Sequence, residues 1–522
     1  MATSGREPAR LWPRGLVLLG TLTVVLTGED AAASPLFELS GDQSGGQGGL
    51  QGRTVEGGAS SAYFNPALLT EAEAGLTVGF LTLGTDINIS YAARPSPRFD
   101  VPNYGSTPPS YPGGAAIPFV PLGTGVLQNG IPASGPNPAV PAKPRGMQGT
   151  GHQTNTYEAI GLVVKLFKER LTLGVYGLIP NGKFTNLSAF YPDEREQYFS
   201  NSLHPELYGD RLTAVSFAFA LGFKINDQLS IGVGTTLSLN VNAQTPAFVA
   251  SASDLSHLLI DSDINVAAGL APHFGLSYNP HPKWRLTATA HAPSSLSFTD
   301  TFTFTLAGGQ GAKSTITFVH DYMPWRFGVG TSYDLVKEPH DSLTVAATAV
   351  LGLWSTYQNR DGETPDPAYG WYNTISPTAG VRHQHDDVGL FLDTQYTPTP
   401  VPPQTGRTNY VDNDRVGGDI GIDYTFQLFG TKMRLGANFE AQRLIPRTQA
   451  KIPTPNEPDG LDHYPSLVHD EVPDNATAPN AQGAPAPVGG AGRGLQTNNP
   501  GWPGFGSEGW VLGGGLTLSV IP

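Results

Sequence analysis

Residues 229–242 read LSIGVGTTLSLNVN. Leu229, Ile231, Val233, Leu237, Leu239 and Val241, with Thr235 among them, fall on one side of an extended chain. Ser230, Gly232, Gly234, Thr236, Ser238, Asn240 and Asn242 fall on the other. Successive side chains of a strand point to opposite faces, so this stretch predicts a strand with one apolar and one small polar face. A soluble sandwich also alternates, but its wet face carries many Lys, Glu and Asp. A polar face of Gly, Ser, Thr and Asn favours a wall between lipid and a wet lumen.

The pattern recurs. In 416–426, Val416, Ile420, Ile422, Tyr424 and Phe426 alternate with Gly417, Asp419, Gly421, Asp423 and Thr425. In 432–442, Met433, Leu435, Ala437, Phe439 and Ala441 alternate with Lys432, Arg434, Asn438, Glu440 and Gln442. Extended to the whole chain, the reading predicts fourteen strands at 75–91, 155–166, 170–179, 211–224, 228–242, 263–279, 283–305, 313–334, 342–356, 372–384, 387–396, 413–427, 431–443 and 508–521. The expected fold is an all-β transmembrane antiparallel barrel. The strand number is even and tight turns alternate with mostly long loops, with 306–312 a short exception, as in outer-membrane barrels. Phe223, Trp284, Tyr333, Tyr424 and Phe426 fall near the tight turns, where an interfacial aromatic girdle belongs.

Composition agrees. The chain has 64 glycines, 46 prolines, no cysteine and a net charge of −14. Glycine and proline disfavour helix interiors, which argues against a bundle or a doubly wound α/β fold. The negative charge repels phosphate, so no nucleic-acid partner is expected. Lack of cysteine excludes disulfides and a lipoprotein anchor. Two stretches, 94–146 and 445–506, hold 24 of the 46 prolines and read as long outer loops. No segment offers 18 consecutive apolar residues, so no spanning helix is expected.

Arg6, Arg10 and Arg14, an apolar run over 15–26 and Ala31-Ala32-Ala33 read as a secretory signal peptide, residues 1–33, with Ser34 the first mature residue. The barrel and its loops then occupy 75–522. Between them, 34–74 is glycine-rich, which lets backbone pass through crowded space. Asn65-Pro66-Ala67 adds a fixed φ and an amide able to bond nearby backbone, a lock suited to a loop turning inside a pore.

An export signal, a glycine-rich run, the Asn65-Pro66-Ala67 tripeptide and fourteen alternating segments, in that order, resemble the FadL/TodX family of outer-membrane transporters for hydrophobic compounds. GVYGLIPNG at 174–182, FKINDQLSIGVGT at 223–235, Leu353-Trp354-Ser355, YTPTPVP at 396–402 and Asp412-Asn413-Asp414-Arg415 are similar to family stretches in the same order. The resemblance spans roughly 41–522 outside the two proline-rich loops. It implies a monomer in the outer membrane of a Gram-negative bacterium, with 34–74 as a hatch inside the lumen. It also implies capture of a hydrophobic ligand between outer loops, an internal pocket, and sideways exit into outer-membrane lipid through a kink in the third strand. The matching positions are Asn65, Pro66 and Ala67 for the hatch, and Pro180, Asn181 and Gly182 for the kink; Pro180 also reads as a plain loop start. The chain departs from many outer-membrane proteins by ending on Val520-Ile521-Pro522 rather than on an aromatic residue.

Phe184, Phe190, Tyr191, Tyr198, Phe199 and Tyr208 supply aromatic surface that either packs on itself or meets an apolar ligand. A carboxylate ligand would need a lumen cation. Arg285, Arg326, Arg382 and Arg434 fall on or near polar faces, with Asp419, Asp423 and Glu440 able to pair with them; pairing is the default reading. No cofactor and no enzyme activity is expected. The GxGxxG match at 504–509 has no helix after it. His383-Gln384-His385-Asp386-Asp387 reads as a solvated turn rather than a metal site. A second reading is a non-transporting surface barrel whose proline-rich loops bind a partner or polymer.

Overall fold

The computed structural model describes residues 35–42, 48–91, 147–167, 169–181, 207–208, 212, 214–244, 247–251, 254–260, 263–305, 311–358, 364–365, 370–405, 410–450 and 504–522. The expected signal sequence 1–33, the proline-rich stretch 94–146 and most of its counterpart at 445–506 lie outside them. So do Gly182, Phe184, Phe190, Tyr191, Tyr198 and Phe199.

The described residues form eighteen strands: β1 Gly75–Tyr91, β2 Met147–Leu166, β3 Leu171–Asn181, β4 Val215–Lys224, β5 Leu229–Gln244, β6 Ala247–Ser251, β7 Asp254–Ile260, β8 Asp263–His281, β9 Trp284–His291, β10 Ser294–Thr305, β11 Gly311–Met323, β12 Arg326–Glu338, β13 Asp341–Gly352, β14 Thr374–His385, β15 Val388–Thr397, β16 Arg415–Leu428, β17 Thr431–Ala450 and β18 Gly504–Ile521. Fourteen of them close into one antiparallel barrel, in which β1 pairs with both β2 and β18. The expected strand number and antiparallel closure are met.

The remaining four strands form two hairpins: β6–β7, which lies where a long loop is expected between the strands 228–242 and 263–279, and β10–β11, which falls within expected barrel strands. The single strands expected at 283–305 and 313–334 are each broken in two. Ala292-Pro293 separates β9 from β10, and Pro324-Trp325 separates β11 from β12. Proline cannot donate to a ladder, and each break is bridged from outside the pair. Ala292 N donates to Pro272 O at 2.9 Å, and Leu353 N to Trp325 O at 2.9 Å. The barrel therefore closes through β9 and β12, while β10 and β11 leave it as an outer hairpin. Similarly, the strand expected over 342–356 ends at Gly352, and Trp354–Thr356 is a 3-10 turn.

The expected facing holds along most strands. On β5, Ile231 and Val233 face outward and Ser230, Gly232, Thr236 and Ser238 face inward and are buried or nearly so. Outward apolar side chains recur around the barrel, among them Val78 and Phe80, Phe274 and Leu276, Phe327 and Val329, Leu390 and Leu392, and Ile420 and Ile422. Trp284, Tyr333 and Tyr424 stand exposed near the tight turns. A continuous apolar belt of this kind is unstable against water and suits a lipid-facing wall. Among the described residues no helix is long and apolar enough to cross a membrane.

The described residues of the segment 35–74 lie against the inner face of the wall. It contains α1 Pro35–Ser40, a 3-10 turn Gly58–Ser60, α2 Ser61–Phe64 and a 3-10 helix Pro66–Thr70. Three glycines make its seat. Gly222 on β4, Gly232 on β5 and Gly275 on β8 stand side by side in register. A Cβ on Gly232 or Gly275 would run into Pro66 or Asn65, so glycine is what admits the segment to the wall. Gly232→Val should release this contact, destabilising the docked segment by about 1–3 kcal/mol, typical of overpacking. Hydrogen exchange should show faster amides over 58–70 in Gly232→Val, while Ala347→Val on the outer face leaves them unchanged.

Candidate functional site

The interior has a polar wall and an apolar wall, and the described residues of 35–74 lie between them. Buried polar and charged residues project inward from β8, β9, β12 and β14 to β17: His273, His291, Arg326, Arg382, Asp393, Asp419, Asp423, Glu440 and Gln442. Inward apolar residues come from β1 to β3 and β18: Leu81, Leu83, Ile87, Ile89, Tyr157, Tyr176, Leu178, Phe505 and Val511. Phe37 of α1 packs into the latter group, with its ring 5.2 Å from Tyr176.

The apolar wall arises from a change of phase within β1. Leu76, Val78 and Phe80 face outward, whereas Leu81, Leu83, Ile87 and Ile89 face inward. Asp86, Asn88 and Ser90 occupy the opposite face of the distal half. The expectation of a polar lumen face is therefore corrected for this part of the barrel. The signal was in the sequence: apolar residues move from even to odd positions at Phe80-Leu81.

The tripeptide Asn65-Pro66-Ala67 is buried. Asn65 Oδ1 accepts from Ala67 N at 3.2 Å, capping the 3-10 helix that Pro66 opens. Its Nδ2 donates to Arg53 O at 2.9 Å and to Leu276 O on β8 at 3.4 Å. One side chain thus folds the turn and ties it to the wall.

Each of the four candidate lumen arginines contacts this segment. Arg326 forms an ion pair with Glu38 of α1, and its Nη1 donates to Tyr63 Oη at 2.9 Å. Tyr63 in turn donates to Glu38 at 2.6 Å, and Arg53 closes the group at 2.5 Å from the same carboxylate. Arg382 pairs with Asp393 through both terminal nitrogens and donates to Gly48 O at 2.6 Å. Asp393 also accepts from Leu50 N at 2.8 Å. Arg285 pairs with Glu71 and reaches Thr54 O, and Arg434 pairs with Glu73 at 2.7 Å, with Asp423 3.8 Å away. Glu38, Glu71 and Glu73 were not singled out in the sequence, because pairs so distant along the chain leave no local signal.

His273 Nε2 lies 2.6 Å from Ala62 O, and the His273 and His291 rings stack 5.1 Å apart beside Tyr63. At the long-loop end, Tyr322, Trp354, Tyr357, Trp371 and Tyr410 gather into an aromatic cluster. The Tyr357 and Trp371 rings stack at 3.5 Å, with Tyr410 edge-on. Leu207 packs against both this cluster and the apolar interior, and Arg415 lies 5.8 Å over the Tyr208 ring. Of the expected outer-loop aromatics, only Tyr208 is among the described residues.

Pro180 and Asn181 end β3. They pair with Tyr157 and Thr156 on β2, but pairing to β4 stops at Leu178↔Ser216. A second ladder ends early where β14 meets β15, at Thr378↔Gln395, next to Pro377. Outside this point lies a groove of about 700 Å³ lined by Ala347, Pro377, Ala379 and Tyr396, among others.

The sequence matches no protein-family model and no curated protein. The structure is similar to the crystal structure of a Pseudomonas aeruginosa FadL homologue, with TM-score 0.49 and 16% identity over 91% of this chain and 97% of that one. It is also similar to the P. putida toluene transporter TodX, with TM-score 0.46 and 11% identity over 94% and 99%. For the Ralstonia pickettii toluene transporter TbuX the values are 0.40 and 11%, over 94% and 98%.

The segment carries two carboxylates with opposite leanings. Burial works against the Glu38 charge, but the guanidiniums of Arg326 and Arg53 and the Tyr63 hydrogen bond outweigh it and hold the carboxyl at about 2. Burial pushes Glu56 up to about 7, despite Arg434. Glu38 stabilises docking above the ordinary carboxylate value and loses this as the pH falls toward 2; Glu56 favours docking at low pH and weakens it as the pH rises through 7. Amide protection over 35–74 should therefore peak at roughly pH 4–5 by this linkage. Glu38→Gln should abolish the fall on the acid side, and Glu56→Gln the fall on the alkaline side, in hydrogen-exchange profiles across pH 2–8.

Proposed function

We propose that the chain is a multi-pass channel of a Gram-negative outer membrane that takes up hydrophobic molecules, such as long-chain fatty acids or aromatic hydrocarbons. Residues 35–74 act as its hatch, and a monomer is sufficient. The observation that carries the reading is the inward apolar wall of β1, β2, β3 and β18 beside the enclosed segment. A general porin for polar solutes would gain nothing from Leu81, Leu83, Ile87 and Ile89 facing inward. These side chains are covered as they stand; an apolar ligand that parts them gains roughly 25 cal/mol per Å² of its own surface buried, and passage onward into lipid needs no energy source.

The aromatic cluster at the long-loop end supports capture from outside, and Leu207 provides a packed connection from it to the apolar interior. Sideways exit is supported at Pro180, where β3 runs past the end of its ladder with β4. The apolar groove at Pro377 supports the same step on another part of the wall. The four arginines are occupied by the hatch and by wall carboxylates, which favours a structural role for them over direct capture of a ligand carboxylate.

Leu83→Asp with Ile87→Asp tests the reading. Uptake of a radiolabelled long-chain fatty acid or an aromatic hydrocarbon should fall about tenfold or more, since placing charge in an apolar site is strongly unfavourable. Entry of a small hydrophilic solute should stay unchanged, with the folded barrel still detectable by its heat-modifiable gel mobility. Equal loss of both permeants would mark a general pore, and unchanged hydrophobic uptake would overturn the proposal.

A further inference from the structure

The strand register creates a donor set outside the lumen. His383 and His385 lie two apart on β14, so their side chains share one face. Asp341 opens β13 and is the direct register partner of His385. Both imidazoles converge on one oxygen: Asp341 Oδ1 lies 2.8 Å from His383 Nε2 and 3.8 Å from His385 Nδ1. Ligand atoms of all three residues lie within 4.8 Å of one another. All three side chains are 41% exposed or more, so an ion could reach them without opening the barrel.

We propose that Asp341, His383 and His385 form a binding site for a divalent transition metal ion, of the zinc, nickel or copper class, on the tight-turn rim of the barrel. Two imidazoles and one carboxylate suit such ions, with bonds of about 2.0–2.2 Å and a fourth position left to water. Magnesium and calcium prefer sets made of oxygen alone. The backbone is suited to hold the donors. Two tight turns, β12–β13 and β14–β15, join the four strand ends at this rim, and Asp386 N donates to His340 O at 2.9 Å, tying the turns together. His340 and Asp386 form their own pair at 2.8 Å next to the site. Hydrogen bonding satisfies His383 at the Asp341 carboxylate; His385 stands 3.8 Å from the same oxygen and 3.9 Å from Asp386 Oδ2, beyond hydrogen-bond distance of either, with Nδ1 left facing the Asp341–His383 pair for an ion to join. The site faces away from the lumen and stands independently of the transport reading. The sequence alone showed only the two histidines in a turn, because Asp341 joins them through strand pairing.

Zinc binding to the full chain in detergent, without a histidine tag, tests this by isothermal titration calorimetry. The expected result is one high-affinity zinc ion per chain, undisturbed by a hundredfold excess of magnesium. His383→Ala with His385→Ala should weaken binding at least tenfold, and Asp341→Asn should weaken it separately. Each variant is checked for heat-modifiable mobility, and Asp341→Asn retains the shape of the site if the double variant does not fold. No stoichiometric zinc binding, displacement by magnesium, or wild-type affinity in folded variants would overturn the proposal.

Discussion

A guanidinium enclosed in a barrel must be paired, and this constraint organises the interior. Taking a charge out of water costs several kcal/mol, and a buried pair broken on one side is destabilising by about 3–5 kcal/mol. Arg326 is almost wholly buried on β12, and its carboxylate partner comes from α1 of the N-terminal segment. Arg382 is satisfied partly by Asp393 on the wall and partly by the Gly48 carbonyl of the segment. Wall and segment therefore complete one another. The glycine row at Gly222, Gly232 and Gly275 provides the space in which Pro66 sits close enough for these bonds to form.

That arrangement gives the lumen its two sides. Polar groups are needed where the segment is tied down, so they gather on the strands from β8 to β17. The opposite wall has fewer such obligations and turns apolar residues inward, where Phe37 and Tyr63 of the segment join them. The belt outside and the apolar wall inside draw on the same strand, β1, by a shift of one residue in phase. Odd positions of β1 face inward along its whole length, and the apolar residues move from even to odd positions, so one strand serves both surfaces.

Much of the fold was legible because its signal is local. Period-two alternation in 229–242, 416–426 and 432–442 named strands that the structure contains, and the strand number followed from turn and loop spacing. The broken strands were harder: apolar alternation runs on at even positions through Pro293, and at Pro324 it only changes phase, from Ile316, Phe318 and Tyr322 to Trp325, Phe327 and Val329; the closing of β9 on β12 shows where the barrel leaves its outer hairpin. The interior was legible in part. Asn65-Pro66-Ala67 stood out as a lock, and the four arginines stood out as inward cations. Their partners Glu38, Glu71 and Glu73 did not, since pairing across the barrel depends on closure. The aromatic cluster of Tyr357, Trp371 and Tyr410 was hidden for the same reason, its members being separated by strands and loops.

The paired interior requires the N-terminal segment to be seated inside the barrel against β13. Thr54 Oγ1 lies 2.7 Å from Thr348 Oγ1, close enough for a paired cysteine substitution to form a disulfide. The chain has no cysteine of its own, so Thr54→Cys with Thr348→Cys leaves a single possible bridge. Mass spectrometry of the oxidised, membrane-embedded barrel should find the peptides carrying positions 54 and 348 joined in nearly every molecule. Two free thiols in a folded barrel would contradict the account.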